Sequence, residues 1–288
     1  MIRLYGNIYH WIKHPDETEL NLSFRKKVQV TLNILLMDVL LIFPFLGFLY
    51  IITSHLVELE IPLDDSHPVV LFILVVLLAP LIEEFIFRFP LKYKRNYLVR
   101  LINFFSRGWL KKRWSSVFKY FLYLLVILFG LIHLMNFNNN ENLFFALAPF
   151  MIGNQLIGGF LLSYTRIKLG FIWSFIQHSA FNLIVVVFEV IFFHNQIIVK
   201  ESNENFEVSI VEQVYVFKNT SYLQSKFDKD VIYSVNADDI SLSGLLDSLN
   251  IQGIRQYEDR WIDVKIKSEK GMSRKELKNI LKRDLILR

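Results

Sequence analysis

Five runs of apolar residues, roughly 28–53, 69–91, 117–137, 143–165 and 170–193, dominate the first part of the chain. None of them alternates with the two-residue period of a strand. Each holds about 20–25 residues, enough at about 1.5 Å per residue to cross about 30 Å of hydrocarbon. Without water to satisfy its backbone, a crossing segment must be a helix or part of a closed barrel. The pattern therefore predicts five spanning helices. The first run begins near Val28, too late and too long for the core of a signal peptide, and reads as the first span. Beyond residue 194 the pattern changes. Phe206, Val208 and Ile210 alternate with polar residues, as do Ile262, Val264 and Ile266, which predicts strands. Ser273 and Glu276 fit a capping box opening a C-terminal helix rich in Lys and Leu. The expected fold is an all-α polytopic transmembrane helix bundle with a small C-terminal soluble α/β domain. Its parts are an amphipathic cytoplasmic segment (1–27), an embedded bundle (28–193) and the soluble domain (194–288).

Charge sets the expected orientation. The segment 54–68 carries Glu58, Glu60, Asp64 and Asp65 and no Lys or Arg, whereas Lys92 to Lys119 carries nine basic residues and no acidic one. The positive-inside rule makes the second loop cytoplasmic, together with Arg25, Lys26 and Lys27 and the Arg166–Lys168 turn. Trp109, Trp114 and Tyr120 suit an interface, and 97–113 reads as a surface-lying amphipathic helix. Basic residues beside apolar spans point to membrane lipid as the partner of the chain's net charge of +5. The tail's 15 basic and 15 acidic residues cancel, so nucleic acid is not an expected partner. The chain has no cysteine, which removes disulfides, thiolate metal sites and a cysteine nucleophile.

Several polar residues interrupt the apolar runs, where each costs several kcal/mol unless paired or hydrated. The second run reads Leu81-Ile82-Glu83-Glu84-Phe85-Ile86-Phe87-Arg88. On a helix Glu84 and Arg88 share a face and can pair, while Glu83 turns about 100° away. Two adjacent carboxylates at that depth suit proton transfer. An ion pair locking helices together would account for Glu84 and Arg88 and leave Glu83 unexplained. The third run contains Phe129 and His133, and the fifth His178 and Asn182 one turn apart. Gly153, Gly158 and Gly159 allow close helix packing. Near the N-terminus, His10 and His14 read as an exposed pair on an interfacial helix, and Asn136 with Asn138 to Asn140 as a polar loop.

EExxxR, then FxxxH, then HxxxN, in that order on separate spans, resembles the CPBP family, which includes the type II CAAX prenyl endopeptidases and bacterial relatives linked to bacteriocin self-immunity. The likeness runs from about Ala79 to Asn182, including the glycine-containing stretch Gly153 to Gly170, and leaves out the first span and the tail. It implies an intramembrane endopeptidase acting on a membrane-anchored protein or peptide. Glu83 would activate the attacking water, Glu84 and Arg88 would assist or hold the helix, His133 would bind or polarise that water, and His178 and Asn182 would complete the site. Glu83, His133 and His178 also form a donor set for a divalent metal such as zinc, with water in the fourth position. A metal-independent, glutamate-based mechanism uses the same residues, and both readings stand at this stage. The competing reading is a non-catalytic membrane immunity or partner-binding protein whose polar residues join helices, and a proton or ion pathway is a third. In the expected topology His133 lies nearer the outer surface than Glu83 and His178, by roughly 14 Å at about 1.5 Å per residue. A shared site requires that this gap be closed.

Overall fold

The computed structural model of the chain describes residues 2–55, 67–137, 142–216, 222–252 and 259–285. The acidic loop around Glu58 to Asp65 and the asparagines 138–140 lie outside the described residues. Two compact units are present, one built from 2–55 and 73–184, the other from 67–72 and 185–285.

The first unit is helical. It begins with α1 (Ile2–Lys13) and α2 (Phe24–His55). The second apolar run is a single helical path, Pro68–Leu91, of changing pitch: α3 (Pro68–Ile73), a π-turn at Leu74–Leu78, α4 (Ala79–Glu83), a second π-turn at Glu84–Arg88 and a 3₁₀ turn at Phe89–Leu91. Then follow α5 (Tyr97–Phe105), α6 (Trp109–Ile132), α7 (Asn142–Met151), α8 (Gly153–Lys168) and α9 (Phe171–Phe193), which runs on into the second unit. Five of these paths have 22–28 residues and are long and apolar enough to cross a membrane. Their boundaries refine the expected ones. The third begins at Trp109, so only Tyr97–Phe105 forms a separate short helix. The fourth is broken at Ile152, just after Pro149 and before Gly153.

Within its apolar core this unit buries a cluster of polar residues, and much of its outer surface is apolar. Glu84, Arg88, Asp38, Gln177 and His178 are buried, whereas Leu36, Phe43, Ile82, Phe85, Ile127 and Ile172 are exposed. A water-soluble bundle would reverse that order. Glycines let the helices meet closely. A Cβ on Gly153 would sit 2.1 Å from Phe45 Cε1, and one on Gly159 would sit 3.1 Å from Val126 Cγ1 and 3.3 Å from Phe129 Cδ1.

α1 is not a loose appendage. Ile8 and Trp11 are buried in the bundle core, and Trp11 packs edge-on against Tyr164. His10 and His14 lie on its exposed side with ring centroids 5.2 Å apart. The segment after it lays three carboxylates across the helix ends: Asp16 meets Lys168 at 2.8 Å, Glu17 accepts from the Tyr93 amide and Trp114 Nε1, and Glu19 meets Lys92 at 3.0 Å. The hydrogen bond from Lys92 holds the Glu19 carboxyl below the usual range. Trp114, expected at an interface, is buried in this core, and Arg166 and Lys168, read as a turn, are buried in the last turn of α8.

The second unit contains a five-stranded sheet: β1 (Gln196–Ser202), β2 (Phe206–Gln213), β3 (Tyr222–Asp228), β4 (Val231–Ser241) and β5 (Trp261–Ser273), in the order β1-β2-β5-β4-β3. Every pairing is antiparallel, so the tail is an antiparallel sheet with helices added, because alternation marks a half-buried strand without encoding its direction. Val208, Ile210, Ile262, Val264 and Ile266 point into one core with Leu245 and Leu249, from α10 (Leu242–Ser248) and its end, and Leu277, Ile280 and Leu281 of α11 (Arg274–Leu285). Gly271 has φ +85°, and a Cβ there would lie 2.1 Å from Val231 Cγ1, so no larger residue fits.

The capping box is formed. The Ser273 amide donates to Glu276 Oε2 at 2.8 Å, and the Glu276 amide donates to Ser273 Oγ at 3.2 Å. The Ser273 backbone bond holds the Glu276 carboxyl below its ordinary value. A lowered folded value means that this contribution is present above the unfolded pKa and is lost as pH falls through the folded one. Ser273→Ala is expected to destabilise the first turn of α11 by about 1 kcal/mol. The protection of that turn from hydrogen exchange in the intact protein, taken relative to the intrinsic rate at each pH, should fall accordingly, and acidification should lower it further in the wild type than in the variant.

Candidate active site

Two prolines shape the helical path that carries the carboxylates. In the π-turn at Leu74–Leu78 the Ala79 amide bonds back to the Leu74 carbonyl. The next carbonyl in that pattern, Val75, would need the amide of Pro80, which has none. Asn182 supplies the missing donor, with Nδ2 at 2.9 Å from Val75 O. Near Pro90 a later helix also reaches the path. Arg166 Nε donates to Arg88 O at 3.1 Å and its Nη2 to Phe89 O at 3.4 Å. Side chains of α8 and α9 thus complete the backbone of the broken path and fix its rotation.

That rotation places Glu84 inside. Its side chain is 0% exposed, and its Oε1 lies 3.5 Å from Arg88 Nε and 3.2 Å from His178 Nδ1. Glu83, turned away from Glu84, is 24% exposed, with Oε2 3.6 Å from His178 Nε2. The imidazole therefore stands between two carboxylates. Because Glu84 Oε1 can only accept, Nδ1 carries hydrogen, and Nε2 faces the Glu83 oxygen across a gap longer than a direct hydrogen bond. Two lone pairs at that separation repel unless a proton or a bridging molecule lies between them.

Phe129 is the hub of the assembly. The Arg88 guanidinium carbon lies 3.7 Å from its ring centroid, a cation–π contact worth about 2 kcal/mol when desolvated. Phe87 packs against the same ring at 5.5 Å, His133 at 4.7 Å and His178 at 6.0 Å. The Phe129 ring thus bridges His133 and His178, which do not touch each other. The chain after Arg88 stretches through two 3₁₀ turns and an extended Lys92 instead of continuing as a helix, which lengthens its rise per residue. Tyr93 then meets Trp114 while Phe87 meets Phe129.

Of the six expected residues, Glu83, Glu84, Arg88 and His178 touch directly. His133 joins through Phe129 and donates Nδ1–H to the Phe129 carbonyl at 2.7 Å, which leaves Nε2 as an acceptor. Asn182 serves the Val75 carbonyl. Phe129 stands between His133 and His178, and among the described residues no group of three or more His, Cys, Asp or Glu side chains is arranged to hold a metal ion. Sequence reasoning missed Asp38 of α2. It is buried within electrostatic range of Arg88, and its Oδ1 has no hydrogen-bond partner. It packs over Gly158, whose added Cβ would lie 3.5 Å from Oδ1. The signal was available, since Asp38 is an ionisable residue within an apolar run like those that were singled out.

Removing Arg88 alone leaves the Glu84 carboxylate buried without its cation. Arg88→Met is expected to lower stability by about 3–5 kcal/mol. Adding Glu84→Gln should restore much of the loss, and a double-mutant cycle on unfolding in detergent measures the coupling. No family model, no curated protein and no solved structure matches this chain.

Proposed function

We propose that the chain is a multi-pass protein of the cell membrane and an intramembrane endopeptidase of the CPBP type, hydrolysing a peptide bond of a membrane-associated substrate with a water activated by Glu83. The observation that carries this reading is the contrast between two adjacent carboxylates. Glu84 is sealed in and bound to Arg88 and His178, while Glu83 is partly open and faces the second nitrogen of the same imidazole. The inward polar and outward apolar faces of the five long helices support the membrane placement.

The division of labour follows from the hydrogen-bond roles. Glu83 accepts a proton from water as hydroxide adds to the scissile carbonyl. His178, oriented by Glu84, offers Nε2 as the neighbouring site for that proton and returns it to the departing amine. Glu84 and Arg88 keep the imidazole in place, and Arg88 adds positive charge beside the developing oxyanion. His133 Nε2 accepts a hydrogen from water and so orients it. Asn182 acts at one remove, by holding the π-turn that sets where Glu83 points.

A second reading has a specific observation in its favour. Asn182 serves the Val75 carbonyl and Glu84 pairs with Arg88, as they would in a non-catalytic immunity or partner-binding protein. Glu83→Gln separates the two. It removes the base from a partly exposed position, so the folded protein should persist while turnover falls by roughly 10²–10⁴-fold. The measurement compares new peptide termini in membranes containing wild type or variant at matched abundance. Termini that disappear in the variant establish the endopeptidase, and a full wild-type phenotype retained by Glu83→Gln would favour the binding protein.

A further inference from the structure

A cavity of about 630 Å³ opens where the segment after α1, the residues following the 3₁₀ turn at Leu91, and the junction of α8 with α9 come together. Five cations face it: Lys27, Lys92, Lys94, Arg95 and Arg166. Two carboxylates, Glu17 and Glu19, face it as well, which leaves a surplus of three positive charges (five minus two). The carboxylates are already engaged. Glu19 pairs with Lys92 at 3.0 Å and Lys27 at 3.9 Å, and one Glu17 oxygen accepts from the Tyr93 amide and Trp114 Nε1. Lys94 and Arg95 are exposed and have no acidic partner among the described residues. Arg166 is buried, donates to two carbonyl oxygens and lies 6.0 and 5.7 Å from the Phe89 and Phe171 rings, with no carboxylate in ion-pair contact among the described residues.

The opposite wall is apolar. Phe171, Ile172 and Trp173 line it, and Ile172 is exposed. A cationic end joined to an apolar wall, at the end of helices long enough to cross a membrane, matches an anionic amphiphile better than a free ion. Basic pockets of this kind beside spanning helices take phosphate-bearing lipid headgroups, and guanidinium groups bind phosphate through paired donors.

We propose that this cavity binds the phosphate headgroup of an anionic phospholipid, with Lys94 and Arg95 on the phosphate, the buried Arg166 adding positive charge behind them, and an acyl chain along Phe171–Trp173. The proposal requires only that the chain lie in a membrane and is independent of any hydrolytic activity. Its occupant would also touch the frame of the Glu84 cluster, because Arg166 holds the carbonyls that end the second π-turn.

The test uses the full chain, purified in detergent and equilibrated with phosphatidylcholine alone or with an equimolar mixture of phosphatidylcholine and phosphatidylglycerol. Native mass spectrometry then reads the lipid retained. The wild type is expected to keep phosphatidylglycerol preferentially, and Lys94→Gln with Arg95→Gln should weaken that retention by roughly tenfold or more. Lys111→Gln with Lys112→Gln, an equal loss of exposed charge outside the cavity, is the control and should change retention by less than about twofold. Equal losses in both variants would overturn the site in favour of general surface attraction. No preference for phosphatidylglycerol in the wild type would overturn it too. A third arm titrates inorganic phosphate alone, and saturation by phosphate with no competition from the lipid would overturn the lipid as occupant.

Discussion

The helical unit depends on keeping the Glu84 carboxylate charged, or its proton shared, where no water reaches it. An isolated carboxylate in that position would be destabilising by several kcal/mol, so its neighbours must compensate in concert. Arg88 supplies the cation, His178 the donated hydrogen, and Phe129 the face on which the guanidinium rests. Gly159 gives the space for that stacking, since a Cβ there would already lie 3.7 Å from Arg88 Nη2. Each element is therefore constrained by a charge on another. Glu83 inherits its position from this arrangement without being buried by it.

Backbone satisfaction imposes a second demand on the same helical path. Pro80 removes a donor from this path, and Asn182 supplies a replacement, while Arg166 binds the carbonyls of Arg88 and Phe89 where the path ends. The residues that look most chemical in the sequence thus divide into two kinds. Some present reactive atoms, and others, with Asn182 and Arg166 foremost, hold carbonyl oxygens so that the first kind points the right way.

Much of this organisation was legible in the chain itself. Long apolar runs gave the five helices, and period-two alternation gave β2 and β5, because both signals are local and strong. The Glu84–Arg88 pair was legible for the same reason, being one turn apart. Asp38 escaped because the family likeness began only at the second run, although its burial follows the same rule. The role of Asn182 could not be read from its own helix, since it answers a vacancy created by a proline about a hundred residues earlier. Nor could the distances between His133 and its neighbours, which depend on how far the segment after Arg88 stretches. Strand direction in the tail was equally hidden, because parallel and antiparallel strands can bury the same alternating residues.

The changing pitch of the Pro68–Leu91 path has a consequence for kinship. A π-turn holds more residues than a regular turn, so positions beyond Leu78, and again beyond Arg88, fall out of phase with a uniform count of 3.6. A related chain lacking one such turn could present the same carboxylates, guanidinium and imidazole with one residue fewer between them. Sequence comparison at fixed spacing would separate two such proteins, while superposition of their polar groups would unite them. For this molecule, ancestry is better sought in the arrangement of a few charged atoms than in the intervals along the chain.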